Sequence, residues 1–301
     1  MKRRLQIALL PDGKRLHLQD GPIDLIIEAR GSDAEVRAAY DAALRRFTGL
    51  LDELCAELPL LRTSADPARC PLRGNVARRM HEAVAPFAAE HFITPMAAVA
   101  GSVAEEILEA MLRHSRLHHA YVNNGGDIAL HLGRGEHFTV GLAERPDALG
   151  LMRTMIVHHD DPSRGVATSG RHGRSFSLGI ADAVTVLAQT ASQADAAATI
   201  IANAVDLPGH PAILRCPANQ LQPDSDLGAR LVTRDVGELS GHEVADALAA
   251  GAQRARQALA AGLIEGAALR LLGETVMVSA KLPPCRSQAV HRDAIESLMH
   301  A

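Results

Sequence analysis

The first thirty residues restrict the fold more than any other part of the chain. LQIALL, RLHLQ and IDLIIEA are short apolar or alternating runs, cut by Pro11-Asp12-Gly13 and Asp20-Gly21-Pro22. Such runs between turn residues predict strands joined in hairpins over residues 1–30, and no helical spacing begins before Ser32. From there Val36, Ala39, Tyr40, Leu44, Phe47, Leu50, Leu51 and Leu54 recur at three and four, which predicts a helix over 32–57. A loop over 58–73 and a helix over 75–88 follow. Thr94-Pro95 then opens a third helix, with Thr suited to the N-cap and Pro to the first helical position. Strands are expected at 119–122, 128–132, 137–142 and 152–158. Beyond the 165–206 segment come a loop over 207–229, a strand over 231–236, a helix over 241–260 and closing strands near Ala267 and Val276. A tail, 284–301, ends the chain. Strands and helices arrive in blocks rather than in βαβ alternation, so the expected class is α+β, as one domain over 1–301.

Composition removes several functions. Net charge is −4, which offers no general attraction to a phosphate backbone, and nucleic acid is not expected. The chain has no Trp, two Tyr and five Phe, so a bound planar ring must lie between aliphatic groups and backbone. Cys55, Cys70, Cys216 and Cys285 are scattered, with no CxxC pair, which fits a reducing cytoplasm. The apolar run 7–10 is too short for a signal peptide, and no stretch reaches a membrane span.

Candidate chemistry is carried by three patterns. Asn123-Asn124-Gly125-Gly126-Asp127 combines amide side chains, a carboxylate and two glycines that let a ligand touch backbone; the same residues also read as a plain hairpin turn. Thr168-Ser169-Gly170 ends a strand and is followed by Arg171, His172, Arg174 and Ser175. This is a loop that can hold phosphate or carboxylate groups, with His172 available for proton transfer, or else a solvated basic loop. Ser192 and Asp195 have capping-box spacing. Asp195 and Thr199 share a helix face and can offer hard oxygen ligands to Mg²⁺, or belong to an ordinary capped helix. In His158-His159-Asp160-Asp161 the adjacent side chains point in opposite directions, so a solvated loop is expected. The small residues Ala97, Ala98, Ala100, Gly101 and Ser102 suit close packing, and can serve a homodimer as well as a core.

Taken in order, TPMAAVAGSVAEEIL, YVNNGGDIAL, GVATSGRHGRSFSLGIADAVTVL and QADAAATIIANAV resemble uncharacterised protein family 0280, a bacterial and archaeal group similar to the ApbE superfamily of FAD:protein FMN transferases. The resemblance spans the motif-bearing core, residues 94–206. It implies an ApbE-like two-lobed α+β fold with mixed or antiparallel sheets flanked by helices. It also implies a flavin-type ligand, FAD or FMN, contacted by 124–127 and lined by 167–170, with Mg²⁺ on Asp195 and Thr199. One departure is plain: where the transferases carry a His and an Asp after ATSG, this chain reads Arg174-Ser175-Phe176-Ser177-Leu178-Gly179-Ile180-Ala181-Asp182. Asp182 can stand for the Asp, and His172 is the near candidate for the His. The expectation is therefore an ApbE-like enzyme that acts on a flavin or similar heterocyclic small molecule in the retained site, with weak or no flavin transfer. The alternatives are a non-catalytic accessory to a redox enzyme, or an enzyme of small heterocyclic ring catabolism.

Overall fold

The computed structural model describes residues 5–143 and 151–279; the expected tail over 284–301 lies outside the described residues. Strands β1 (Gln6–Leu9), β2 (Leu16–Asp20) and β3 (Ile23–Arg30) precede helices α1 (Asp33–Phe47), α2 (Leu50–Ala56), α3 (Leu58–Leu61) and α4 (Asn75–Ala88). A 3-10 turn, Pro95–Ala98, leads into α5 (Val99–His114). Strands β4 (His119–Asn124), β5 (Asp127–Leu132), β6 (His137–Ala143), β7 (Leu151–His158), β8 (Gly165–Ser169) and β9 (Ala183–Ala188) come next. The chain continues through α6 (Ala191–Ala204), β10 (Ile213–Pro217), α7 (Ala218–Leu221), β11 (Leu231–Val236), α8 (Gly241–Ala260), β12 (Gly266–Leu271) and β13 (Glu274–Ser279).

The expected α+β class is observed. One nine-stranded sheet runs β1-β2-β3-β4-β5-β8-β9-β12-β13, with antiparallel ladders throughout. The β6–β7 and β10–β11 hairpins form separate two-stranded ribbons. Alternation places Ile23, Leu25, Ile27 and Ala29 of β3 and Val184, Val186 and Ala188 of β9 in one buried cluster with residues of α1, α5, α6 and α8. No described helix is long and apolar enough to cross a membrane.

A core this poor in aromatics is filled by close backbone approach. A Cβ on Gly165 would lie 2.1 Å from the Thr190 carbonyl, and one on Gly101 2.3 Å from the Ala191 oxygen. The α5 glycine therefore serves tight contact with the first turn of α6.

Several sequence expectations are corrected. The helix over 32–57 is two helices, because Gly49, at φ 84°, breaks it. The expected loop over 58–73 opens with the short helix α3, and the loop-rich stretch over 207–229 also holds β10 and α7. Thr94 does not cap with its side chain; its hydroxyl instead donates to Asp226 Oδ2 at 2.5 Å, and Pro95 starts a 3-10 turn rather than the α-helix.

Gly165→Ala is expected to lower stability in chemical denaturation by about 1–3 kcal/mol, through overpacking against Thr190. Gly241→Ala, at an exposed helix start where a Cβ meets nothing within 4 Å, is expected to be neutral or to gain up to about 1 kcal/mol.

Candidate functional site

Helix α5 begins at a residue that cannot cap it: Ala98 occupies the N-cap and no side chain there accepts a bond. The missing acceptor comes from α6, where Asp195 Oδ2 accepts from Gly101 N at 3.0 Å and the same carboxylate also takes the Ala100 N–H. Glu105 of α5 stands in the reverse position at the start of α6, where Ser192 and Thr190 hold its carboxyl down against the upward push of burial. Each helix thus supplies a carboxylate to the positive end of the other. The Ser192–Asp195 capping box expected from sequence is not formed. Thr190 is the N-cap, accepting from Gln193 N at 3.2 Å, so Asp195 lies beyond the first turn and its carboxylate is free to leave its own helix.

Between β4 and β5, Gly125 and Gly126 form a two-residue turn with φ of 67° and 111°, the signs of a type I′ hairpin. Asn123 Oδ1 accepts from Gly126 N at 2.8 Å and closes the turn. Asn124 is buried and ties the strand to α5, its Nδ2 donating to the Ala100 carbonyl at 3.2 Å. Hairpin and binding-turn readings of this motif are therefore compatible. The Arg174 guanidinium lies over Gly125, 3.0 Å from where a Cβ would sit, and donates to the Pro22 carbonyl at 3.2 Å. Gly126 faces open space, so the turn presents bare backbone there.

Asp127 opens β5 and its Oδ1 accepts from Thr168 N at 3.2 Å. Burial pushes its carboxyl well above the ordinary range, and the charge of Asp195 pushes it further; the Thr168 N–H and Arg174 oppose this. Asp195 is pushed up to about 7, mainly by burial and also by Glu105, against the Ala100 and Gly101 N–H groups. The outcome is a pair of acidic groups that prefers to hold a proton or face a cation, with a guanidinium at its rim.

Of the expected residues, Asn123, Asn124, Gly125, Gly126, Asp127, Thr168, Arg174 and Asp195 are brought together here. Thr199 follows Asp195 one turn along α6 and is half-buried. Thr168 shares a 2.9 Å hydroxyl contact with Thr185, and Ser169 is half-buried at the end of β8, while Ser175 is exposed on the following loop. Gly170 admits the Asp182 carbonyl, 2.4 Å from where its Cβ would be. His172 and Asp182 do meet, His172 Nε2 lying 3.3 Å from Asp182 Oδ1. Asp182 is also bound by Arg171 Nε at 2.8 Å and by the Leu272 backbone N–H at 2.6 Å, so it ties this loop to the β12–β13 turn. Among the described residues, no group of three or more His, Cys, Asp or Glu is arranged to hold a metal.

Sequence reasoning missed Glu105 and the pair His17–Asp24. His17 Nε2 lies 2.8 Å from Asp24 Oδ1, and the Asp24 N–H points to Asn124 Oδ1 at 3.5 Å. The β2–β3–β4 register brings this pair beside the glycine turn, a long-range fact with no local sequence signal. Thr190-x-x-Gln193, by contrast, is a readable capping signal that places the start of α6 correctly.

The AbpE bacteria family model matches residues 7–277. A UPF0280 protein of Methanopyrus kandleri is 38% identical over 183 residues, covering 60% of this chain and 69% of its own length. One of Methanosarcina acetivorans is 34% identical over 186 residues, 61% of this chain and 70% of its own. One of Methanothermobacter thermautotrophicus is 42% identical over 118 residues, 38% of this chain and 44% of its own.

Asp195 costs stability as it ionises. Its folded value lies above the unfolded one, so the folded state holds more protons between about pH 4 and 7, and stability falls as pH rises through that window. Asp195→Asn keeps an oxygen acceptor for Gly101 without the charge. In chelator-treated buffer it is expected to be the more stable protein at pH 8, by on the order of 1 kcal/mol. That advantage should shrink toward pH 4 in urea titrations.

Proposed function

The chain belongs to the AbpE bacteria family, among UPF0280 proteins, and on that premise we propose that the surface where the glycine turn meets α6 binds a phosphate-bearing heterocyclic small molecule of the flavin type, FAD or FMN, together with Mg²⁺. The observation that carries this reading is the half-buried pair Asp127 and Asp195, beside bare backbone at Gly126 and the Arg174 guanidinium. Two carboxylates that oppose each other's ionisation are stabilised by a hard divalent cation, and Mg²⁺ usually takes one or two protein carboxylates, completing its shell with water and ligand phosphates. Thr199, a turn further along α6, would add a hydroxyl ligand in this reading. Arg174 suits a phosphate, through its planar fork of donors. Gly126 leaves room for a flat ring against the main chain, which suits a site with few aromatics. The resemblance to FAD:protein FMN transferases rests on the glycine turn, Asp127, Asp195 and Thr199 among these positions, and Arg174 lies where this chain departs from the transferases.

One observation favours binding over flavin transfer. Asp182 is occupied by Arg171, His172 and the Leu272 N–H, so it is held as an anchor rather than left open to a reacting group. The second reading is accordingly a non-catalytic flavin-binding accessory to a redox enzyme.

A thermal-shift series tests the reading. FAD or FMN with Mg²⁺ is expected to raise the melting temperature of the wild-type chain, and neither Asp127→Ala nor Asp195→Asn should respond. Arg174→Ala is expected to weaken binding of FAD by tenfold or more, as loss of a charge-assisted phosphate contact would. No shift with either flavin in the wild type would sink both readings.

A further inference from the structure

Histidines gather around the base of the β6–β7 ribbon, and most of them are engaged with the protein. His119 Nδ1 lies 3.1 Å from Glu136 Oε2. His131 Nε2 contacts the Leu117 carbonyl at 3.2 Å, and His159 Nδ1 the Leu132 carbonyl at 2.8 Å. His137 and His158 differ. They are direct cross-strand partners, the first residue of β6 facing the last of β7. The neighbouring pair, Phe138 and Val157, turns inward, with Phe138 against His119 and Tyr121. Alternation therefore turns His137 and His158 outward, and both are exposed. His159 follows β7 in a turn and is half-buried against the Leu132 carbonyl, while the partner of His158 sits on the opposite strand.

We propose that His137 and His158 form a two-histidine site for a divalent transition cation of the Zn²⁺ class, which closes the base of the β6–β7 ribbon. Two imidazoles sharing a tetrahedral Zn²⁺ at an ordinary Zn–N distance of about 2.0 Å hold their ring centres about 5 Å apart. The observed centres are 5.8 Å apart with the rings tilted by 41°. The difference is under about 1 Å, within the reach of small side-chain rotations. Asp161 Oδ2 accepts from the His158 backbone N–H at 2.8 Å, which steadies the end of β7. Imidazole nitrogen selects Zn²⁺, Cu²⁺ or Ni²⁺ over Mg²⁺ or Ca²⁺. Since no third His, Cys, Asp or Glu joins the pair among the described residues, water fills the other positions on the ion. The site shares no residue with the Asp127–Asp195 pair.

Calorimetric titration of the full chain with ZnCl₂, after chelator treatment and in a non-chelating buffer, tests the proposal. The expected result is one saturable site per chain, lost in both His137→Asn and His158→Asn and retained in Asp127→Ala. A shared ion makes the two losses non-additive, so the double variant should bind no worse than either single one. Zn²⁺ should also raise the melting temperature of the wild type and of neither His variant. Both side chains are exposed, and circular dichroism of the variants checks that they remain folded. Binding that survives in both single variants, as it would if other histidines or the thiols held the ion, overturns the proposal. Two independent weak sites, each removed by one substitution, overturn it equally.

Discussion

The exchange of carboxylates between α5 and α6 is the interaction on which the candidate site depends. A helix starting at Ala98 has no local acceptor for its first N–H groups, and a buried helix end without partners is costly. Asp195 supplies the acceptor, and Glu105 returns the arrangement at the start of α6. Gly101 allows the two helices to come close enough for both exchanges, because any Cβ there would strike the Ala191 carbonyl. Asn124 reaches the same turn of α5 from the end of β4, so helix pair and glycine hairpin are joined at Ala100 and Gly101.

That arrangement has an electrostatic consequence. Asp195 stabilises α5 as an acceptor, yet it is half-buried and Glu105 stands near it. Its charge also bears on Asp127, whose backbone donor and nearby guanidinium offset the burial only in part. Arg79 of α4 relieves the other side of the cluster, pairing with Glu106 at 3.2 Å and Glu109 at 2.8 Å and lying 3.5 Å from Glu105. No comparable basic group of α4 is paired with the Asp127 side, where Arg174 of the exposed loop stands instead. Acidic charge is thus balanced by Arg79 behind the helices, while on the Asp127 side only Arg174 of an exposed loop opposes it.

Much of the fold was legible because it follows local rules. The alternating runs before Ser32 become β1 to β3, and helices begin at Asn75 and Gly241 where the sequence places them. Errors arose where a single residue or a distant partner decides. Gly49 breaks a helix that apolar spacing alone would continue. The hydroxyl of Thr94 is taken by Asp226, far along the chain. Ser192 and Asp195 had the spacing of a cap, but the helix starts at Ala191 after Thr190, and Asp195 serves its neighbour instead.

The sequence by itself determined most of the element types, the glycine turn at 125–126, and the residue types that meet around it, because turn chemistry and side-chain period depend only on nearby residues. Tertiary structure alone decided which groups face each other: Asp127 with Asp195, Arg174 with Gly125, Asp182 with Arg171 and Leu272, and His137 with His158. These pairings come from strand register and helix contact across long stretches of chain. Burial then sets the charge state of each carboxylate, and neither register nor burial is encoded in any local spacing.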